Sequence, residues 1–263
     1  MLVCRALEDA GFVNGFSTRL GGVSPFPENS LNLAGFNEDT AENIHENRRR
    51  FLSLFSGGFE LALAWQVHDN NIRLVRKRGD IGDSDARSDA VVSDLTGVLA
   101  GVKTADCVPV LIGDPRTGAY AAVHAGWRGT LQSIVKKAVG ELERIYGSNQ
   151  TDLIAAIGPA AGCDNYEIGQ DVIDDFRNNF GSDSDKYFTP TREGHALVDL
   201  HAANHDQLLA AGVRRESIHI APFCTMERPD LFFSYRLEKQ KYGKTGRLLS
   251  VVGRNSTQRE PSA

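Results

Sequence analysis

Residues 97–130 read GVLAGVKTADCVPVLIGDPRTGAYAAVHAGWRGT, and the fold turns on how this stretch is divided. Two apolar runs flank Gly113-Asp114-Pro115-Arg116-Thr117-Gly118, a turn-forming composition, so the runs are expected to pair as a hairpin of central strands. Upstream, DAVVSD at 89–94 adds a further apolar run. Downstream, 130–146 places Leu131, Ile134, Val135, Ala138, Leu142 and Ile145 on one helical face, with Thr130 as N-cap. Moving outward, strands are expected at 61–68, 71–77, 152–159, 217–223 and 247–254, and helices at 39–55, 170–180 and 198–212. The segment 12–36 is dense in Gly, Pro, Asn and Ser and reads as a long irregular segment following a short first strand. Strands and helices mix without regular alternation, which argues for an α+β fold with mixed sheets rather than a doubly wound sheet or barrel. We expect one compact domain over 1–254 and a disordered tail over 255–263.

The chain has 263 residues, 41% hydrophobic and 24% charged, so it needs neither metal nor disulfide to close a core. Its net charge of −5 and the absence of a basic run beyond Arg48-Arg49-Arg50 argue against nucleic acid as a partner. Arg5, Glu8 and Asp9 interrupt the place of a secretory apolar core, and no run is long enough to span a bilayer, so a soluble cytoplasmic protein with no membrane partner is expected. The oligomeric state has no signature in the chain. Cys4, Cys107, Cys163 and Cys224 are scattered, as in a reduced enzyme.

Several short patterns fail on inspection. Gly243-Lys244-Thr245 lacks the upstream glycine of a phosphate loop, with Glu238 at that place. No dinucleotide fingerprint follows a strand. His201 and His205 share a predicted helix face without the Glu of a metalloprotease helix, and a solvated face is the better reading.

Chemistry concentrates in three segments at strand ends: Trp65-Gln66-Val67-His68, Thr104-Ala105-Asp106-Cys107, and His124 through Thr130. His68, Cys107 and His124 supply two imidazoles and a thiolate, a set suited to zinc with an open fourth position. Their spacing alone does not decide between this and packing, since a strand-end His or a lone Cys is often structural.

The segments FSTRLGGVS, NLAGF, QVH, SDAVVSD, TADC, HAGWRGT, IGPAAGCDNYEIG and FFSYR, with a later TGR, run in order along nearly the whole chain. Together they resemble the laccase-domain family, also called multicopper polyphenol oxidases, regarded as purine nucleoside phosphorylases and in some members as peptidoglycan editing factors. The resemblance implies α/β/β/α layers, zinc held by His68, Cys107 and His124, and phosphorolysis of adenosine, inosine, guanosine and methylthioadenosine with a side activity as adenosine deaminase. The three ligands are then catalytic, and Asp106, beside Cys107 in the sequence, is expected to orient a ligand imidazole or to carry a proton.

Arg19 and Arg128 are the arginines expected to clamp phosphate, helped by backbone N–H groups at Gly21-Gly22, and Gln66 and Arg236 are expected to contact substrate. The pattern departs where Leu237 follows FFSYR in place of a second Arg and extra residues precede Thr245. Two rival chemistries use the same residues. Cys107 activated by a histidine would make an amidase or hydrolase, one acting on a peptidoglycan precursor. Copper in place of zinc would make a polyphenol oxidase, although the 7 His contain no His-x-His pair.

Overall fold

The structure, a computed structural model, describes residues 1–26, 30–35, 39–82 and 85–255. Two sheets make its centre. In the first, the strands lie in the order Val13–Phe16, Leu248–Arg254, Val98–Thr104, Glu60–Ala62, the last pair parallel and the others antiparallel. The second has six strands in the order Ile218–Ile220, Ile154–Ile157, Val108–Gly113, Tyr120–Ala125, Ala90–Ser93, Ile72–Val75, parallel at both edges and antiparallel between. The fold is a mixed α+β single domain.

Period-two alternation sorts the side chains of each strand into layers. Val98, Ala100 and Val102 of the first sheet meet Leu111, Tyr120 and Ala122 of the second in a buried seam. Tyr120 is fully buried there, edge-on to Phe12, with its hydroxyl 2.7 Å from the Leu95 carbonyl and 3.0 Å from that of Val98. A phenol can be enclosed in this way because its polar end is satisfied. The opposite face of the six-stranded sheet, with Val110, Ile112, Ala121 and Val123, packs on helices Ile134–Tyr146, Gln170–Phe180 and Leu200–Ala210. The outer face of the four-stranded sheet, with Leu99, Leu249 and Val251, is covered by Phe51 of helix Ala41–Leu52. The layers run helix, sheet, sheet, helix.

The hairpin forms as expected, with Val108 opposite Ala125, Pro109 opposite His124 and Gly113 opposite Tyr120. Asp114 fixes its turn by accepting from the Arg116 and Thr117 amides and the Thr117 hydroxyl. The preceding apolar run is divided: Val98–Thr104 belongs to the first sheet and Val108–Gly113 to the second. Residues 105–107 make the crossing, with Asp106 in the left-handed region at φ 84°.

Other boundaries differ from expectation. The predicted 130–146 helix is broken, a short turn Trp127–Leu131 preceding Ile134–Tyr146, with Ser133 left-handed at φ 57° between them. Thr130 is thus a buried helical residue, not a cap. A short strand Val13–Phe16 comes first, and the segment read as irregular contains a further strand, Leu20–Ser24. Helix Tyr235–Tyr242 stands where the sequence showed only extra residues. Of the predicted tail, Asn255 donates to the Ser56 carbonyl at 3.3 Å, and 256–263 lie outside the described residues. Among the described residues no helix is long and apolar enough to cross a membrane.

Candidate metal centre and active site

His124 ends its strand on the same face as Ala122 and Tyr120, and Cys107 precedes the neighbouring strand on the face of Pro109 and Leu111. Hairpin register therefore brings thiol and imidazole together at one end of the seam between the sheets. His68 arrives from the loop after Glu60–Ala62, left-handed at φ 61°. The potential ligand atoms of His68, Cys107 and His124 all lie within 4.8 Å of one another. The two imidazoles stand nearly perpendicular, their centroids 4.8 Å apart at 80°.

Burial differs across the three. His124 is only 3% exposed, Cys107 is half-buried and His68 is exposed. Burial pushes the Cys107 thiol up, but His124 and His68 beside it outweigh this and hold it below the ordinary thiol range. Burial would lower His124, yet Cys107 and Asp89 together hold it above the usual imidazole range. The pair thus favours a thiolate, the form that ligates a metal.

The donor set fits a tetrahedral ion, in which ligands at about 2.0–2.3 Å from the metal stand roughly 3.3–3.8 Å apart. Gly126 supports this fit independently. A Cβ there would lie 3.0 Å from Cys107 Sγ and 3.1 Å from His68 Cδ2, so the missing side chain leaves the space between the ligands open.

The cluster opens on a cavity of about 870 Å³. Gln66, Asp106, Arg128 and Arg236 line it with the three ligands. Gln66 pairs both ends of its amide with Lys103, donating to the carbonyl at 2.6 Å and accepting from the N–H at 2.7 Å, which ties the loop before His68 to the first sheet. Arg128 is exposed, its guanidinium 4.1 Å from the Trp127 ring centroid, and among the described residues it makes no hydrogen bond or ion pair. Arg236 donates to the Glu167 carbonyl at 2.8 Å and lies over Tyr166 at 4.8 Å. Trp65 and Tyr235, 53% and 48% exposed, present aromatic surface in the same cavity wall.

Two expected roles find other occupants. Asp106 does not orient an imidazole: its carboxylate accepts from Thr225 Oγ1 at 2.7 Å, Ser234 Oγ at 3.0 Å and the Arg236 N–H at 2.7 Å. Burial pushes this carboxyl up against the pull of those donors. Arg19 does not reach the cavity. Its guanidinium pairs with Glu238 at 2.8 Å, donates to the Pro229 carbonyl at 2.7 Å and lies over Phe233 at 4.7 Å. Gly22 is likewise packed on backbone, since a Cβ there would stand 2.0 Å from the Ser30 oxygen.

The imidazole-orienting carboxylate is Asp89, which the sequence reading passed over as part of an apolar strand. It is fully buried, and its Oδ1 lies 2.8 Å from His124 Nδ1. His201 also departs from expectation: it is partly buried and lies 3.1 Å from the Gly158 carbonyl instead of on a solvated face. Cys224 accepts from the Gly162 N–H at 3.2 Å, a packing role.

The fold and site define a class of α+β proteins with a His-Cys-His centre between two sheets. Residues 13–255 match the family of multi-copper polyphenol oxidoreductase laccases, and the chain belongs to that family. A purine nucleoside phosphorylase of Bacteroides thetaiotaomicron is 35% identical over 90% of this chain and 89% of its own. The purine nucleoside phosphorylase YlmD of Geobacillus stearothermophilus is 35% identical over 96% and 94%. The crystal structure of YlmD from that organism superposes with a TM-score of 0.86 at 33% identity, covering 94% of this chain and 93% of the other. A Neisseria meningitidis protein, NMB0706, follows with a TM-score of 0.80 at 30% identity, covering 94% and 96%.

Proposed function

We propose that the chain is a zinc-dependent purine nucleoside phosphorylase that cleaves adenosine, inosine, guanosine and methylthioadenosine with phosphate, carries an adenosine deaminase side activity, and works as a soluble cytoplasmic enzyme. The observation that carries this reading is the His68, Cys107 and His124 cluster opening on a cavity that also holds the unpaired Arg128 guanidinium. The names of its relatives support it.

In phosphorolysis a phosphate oxygen bonds to C1′ of the ribose, the bond from C1′ to the purine nitrogen breaks, and that nitrogen takes a proton. Arg128 offers phosphate a planar fork of donors not committed elsewhere. Arg236 adds positive charge in the same wall. Asp106 enters through Arg236, whose backbone N–H it accepts, and so positions the arginine. Trp65 and Tyr235 offer flat faces on which a purine can stack. When bound, zinc would supply Lewis-acid stabilisation of negative charge, on phosphate oxygen or on the departing purine. Copper suits the same ligands, and any oxidation of phenols by this chain would be adventitious copper chemistry and not the primary role.

The test is product analysis. Metal-replete protein is incubated with adenosine, inosine and methylthioadenosine, with and without phosphate, and free base, ribose phosphate and inosine are resolved. Phosphate-dependent release of base and ribose phosphate is expected. Base release unchanged by phosphate, or no release, refutes the reading.

One observation favours a second reading. Asp89, His124 and Cys107 stand in the order of an orienter, base and nucleophile, as in a thiol hydrolase. Metal-free protein that is inactivated by iodoacetamide would support it, and one zinc per chain would oppose it.

A further inference from the structure

Asp89 does more than touch one imidazole. Its Oδ1 also accepts the His68 N–H at 2.9 Å, and its Oδ2 accepts the Val67 N–H at 3.1 Å and the Asp69 N–H at 2.9 Å. With His124 that makes four donors on one carboxylate, which has about four lone-pair sites to offer. The carboxylate is fully buried, and its bond to His124 is made away from competing water. Its own carbonyl accepts the His124 N–H at 2.7 Å, which fixes the ligand's backbone as well as its ring.

The three amides belong to the segment in which His68 is left-handed at φ 61°, a conformation that is strained for a non-glycine residue and persists only when its surroundings hold it. Asp89 is the carboxylate that holds it. The same carboxylate engages His124 at Nδ1, leaving Nε2 as the nitrogen free to face Cys107 and His68.

We propose that Asp89 is the positioning residue of the metal centre, setting the Nε2-ligating form of His124 and the placement of His68 at once through a single carboxylate. This rests on the metal reading given above. It makes the two histidine ligands interdependent: a change at residue 89 loosens both, although only one side chain contacts it.

The experiment uses zinc as the probe and two independent measurements. In the wild-type zinc-loaded protein, long-range proton–nitrogen spectra of the histidine rings should show His124 protonated at Nδ1, with Nε2 shifted on metal binding. Protonation at Nε2 with metal on Nδ1 overturns the proposal without using a variant. Asp89→Asn keeps the shape but puts an N–H₂ where an acceptor stood, and should weaken zinc binding in chelator competition by 10- to 100-fold. It should also alter the visible spectrum of the cobalt-substituted protein. Folded Asp89→Asn with wild-type zinc affinity and an unchanged cobalt spectrum overturns the proposal. Wild-type protein that takes up no zinc overturns the metal reading first, and this inference with it, so the two failures are told apart by the wild-type titration.

Discussion

Gly126 faces the Cys107 sulfur so closely that a Cβ at residue 126 would stand 3.0 Å from it. Its backbone, at φ −70° and ψ 172°, is one that alanine adopts freely, so the constraint is space and not conformation. Gly126→Ala is expected to fold normally and to lower zinc affinity at least tenfold, on the order of 1.4 kcal/mol. Chelator competition beside a thermal melt checks this; unchanged affinity would mean that the ligands yield without loss.

The three ligands should separate by their effect on stability while sharing their effect on activity. Cys107→Ser, His68→Ala and His124→Ala are each expected to abolish nucleoside cleavage and leave circular dichroism near wild type. His68 is exposed and its loss should move Tm little. His124 is buried against Asp89, and its removal takes one of the four donors from a buried carboxylate and empties the space of its ring, a cost of about 1–3 kcal/mol. A Tm for His68→Ala below that of His124→Ala contradicts this ordering.

Arg128→Lys removes the fork but keeps the charge. We expect the phosphate KM to rise, or kcat for phosphorolysis to fall, by about tenfold or more, on the order of 1.4 kcal/mol of transition-state binding. Deamination of adenosine consumes water and not phosphate, and should fall much less. Equal loss of both activities would assign Arg128 to the nucleoside or to His124.

Arg19 is expected to matter for stability alone. Its side chain is 11% exposed and that of its partner Glu238 is 9% exposed, and Glu238 also accepts from the Thr245 hydroxyl. Arg19→Ala strands this carboxylate and should destabilise the fold by about 3–5 kcal/mol. The phosphate KM at a temperature where the variant is folded should stay within about twofold of wild type, a change of under 0.5 kcal/mol. A large rise in that KM would return Arg19 to the substrate.

Acid stability should depend in part on the hairpin turn. Burial pushes Asp114 up, but hydrogen bonds from Ser148, Thr117 and Arg116 outweigh it and leave the carboxyl below its ordinary value. The folded value lies below the unfolded one, so the stabilisation is fully present above about pH 4, the unfolded pKa, and is lost as pH falls through the folded value. Asp114→Asn should flatten the decline of Tm between about pH 5 and pH 2 relative to wild type. Parallel pH profiles for the two proteins would show that Asp114 contributes nothing to it.

How far the chain could be read in advance follows the range of the interactions. His68, Cys107 and His124 stood out because each is a reactive side chain at the end of an apolar strand, a local signal. The central strands were legible because 98–104 and 120–125 are apolar runs, but each is buried on both faces and carries no alternation, so the order of the layers came from the family resemblance. Asp89 was not legible, since its partners at 67–69 and 124 are distant in sequence, and His124 meets it only through the pairing of Ala90–Ser93 with Tyr120–Ala125. The partners of Arg19 were hidden for the same reason: Glu238 and the Phe232 carbonyl meet it only after the chain has closed. Helix Tyr235–Tyr242 buries only Glu238, so it carries no apolar stripe for periodicity to find. The break at Ser133 was masked because Leu131 and Ile134 both pack on the helical layer despite it.

The hairpin that carries Cys107 and His124 has its turn at the opposite end from the metal ligands, and the pairing of Pro109 with His124 and Gly113 with Tyr120 is counted from that turn. The turn therefore works as a ruler. A register slip of one residue rotates His124 out of the seam between the sheets and into the helical layer, and puts Ala125 or Val123 in its place. Loop length at 114–118, remote from every reacting atom, governs whether the centre can assemble at all, so insertions and grafts that a surface turn would ordinarily accept are restricted here to those that preserve the count.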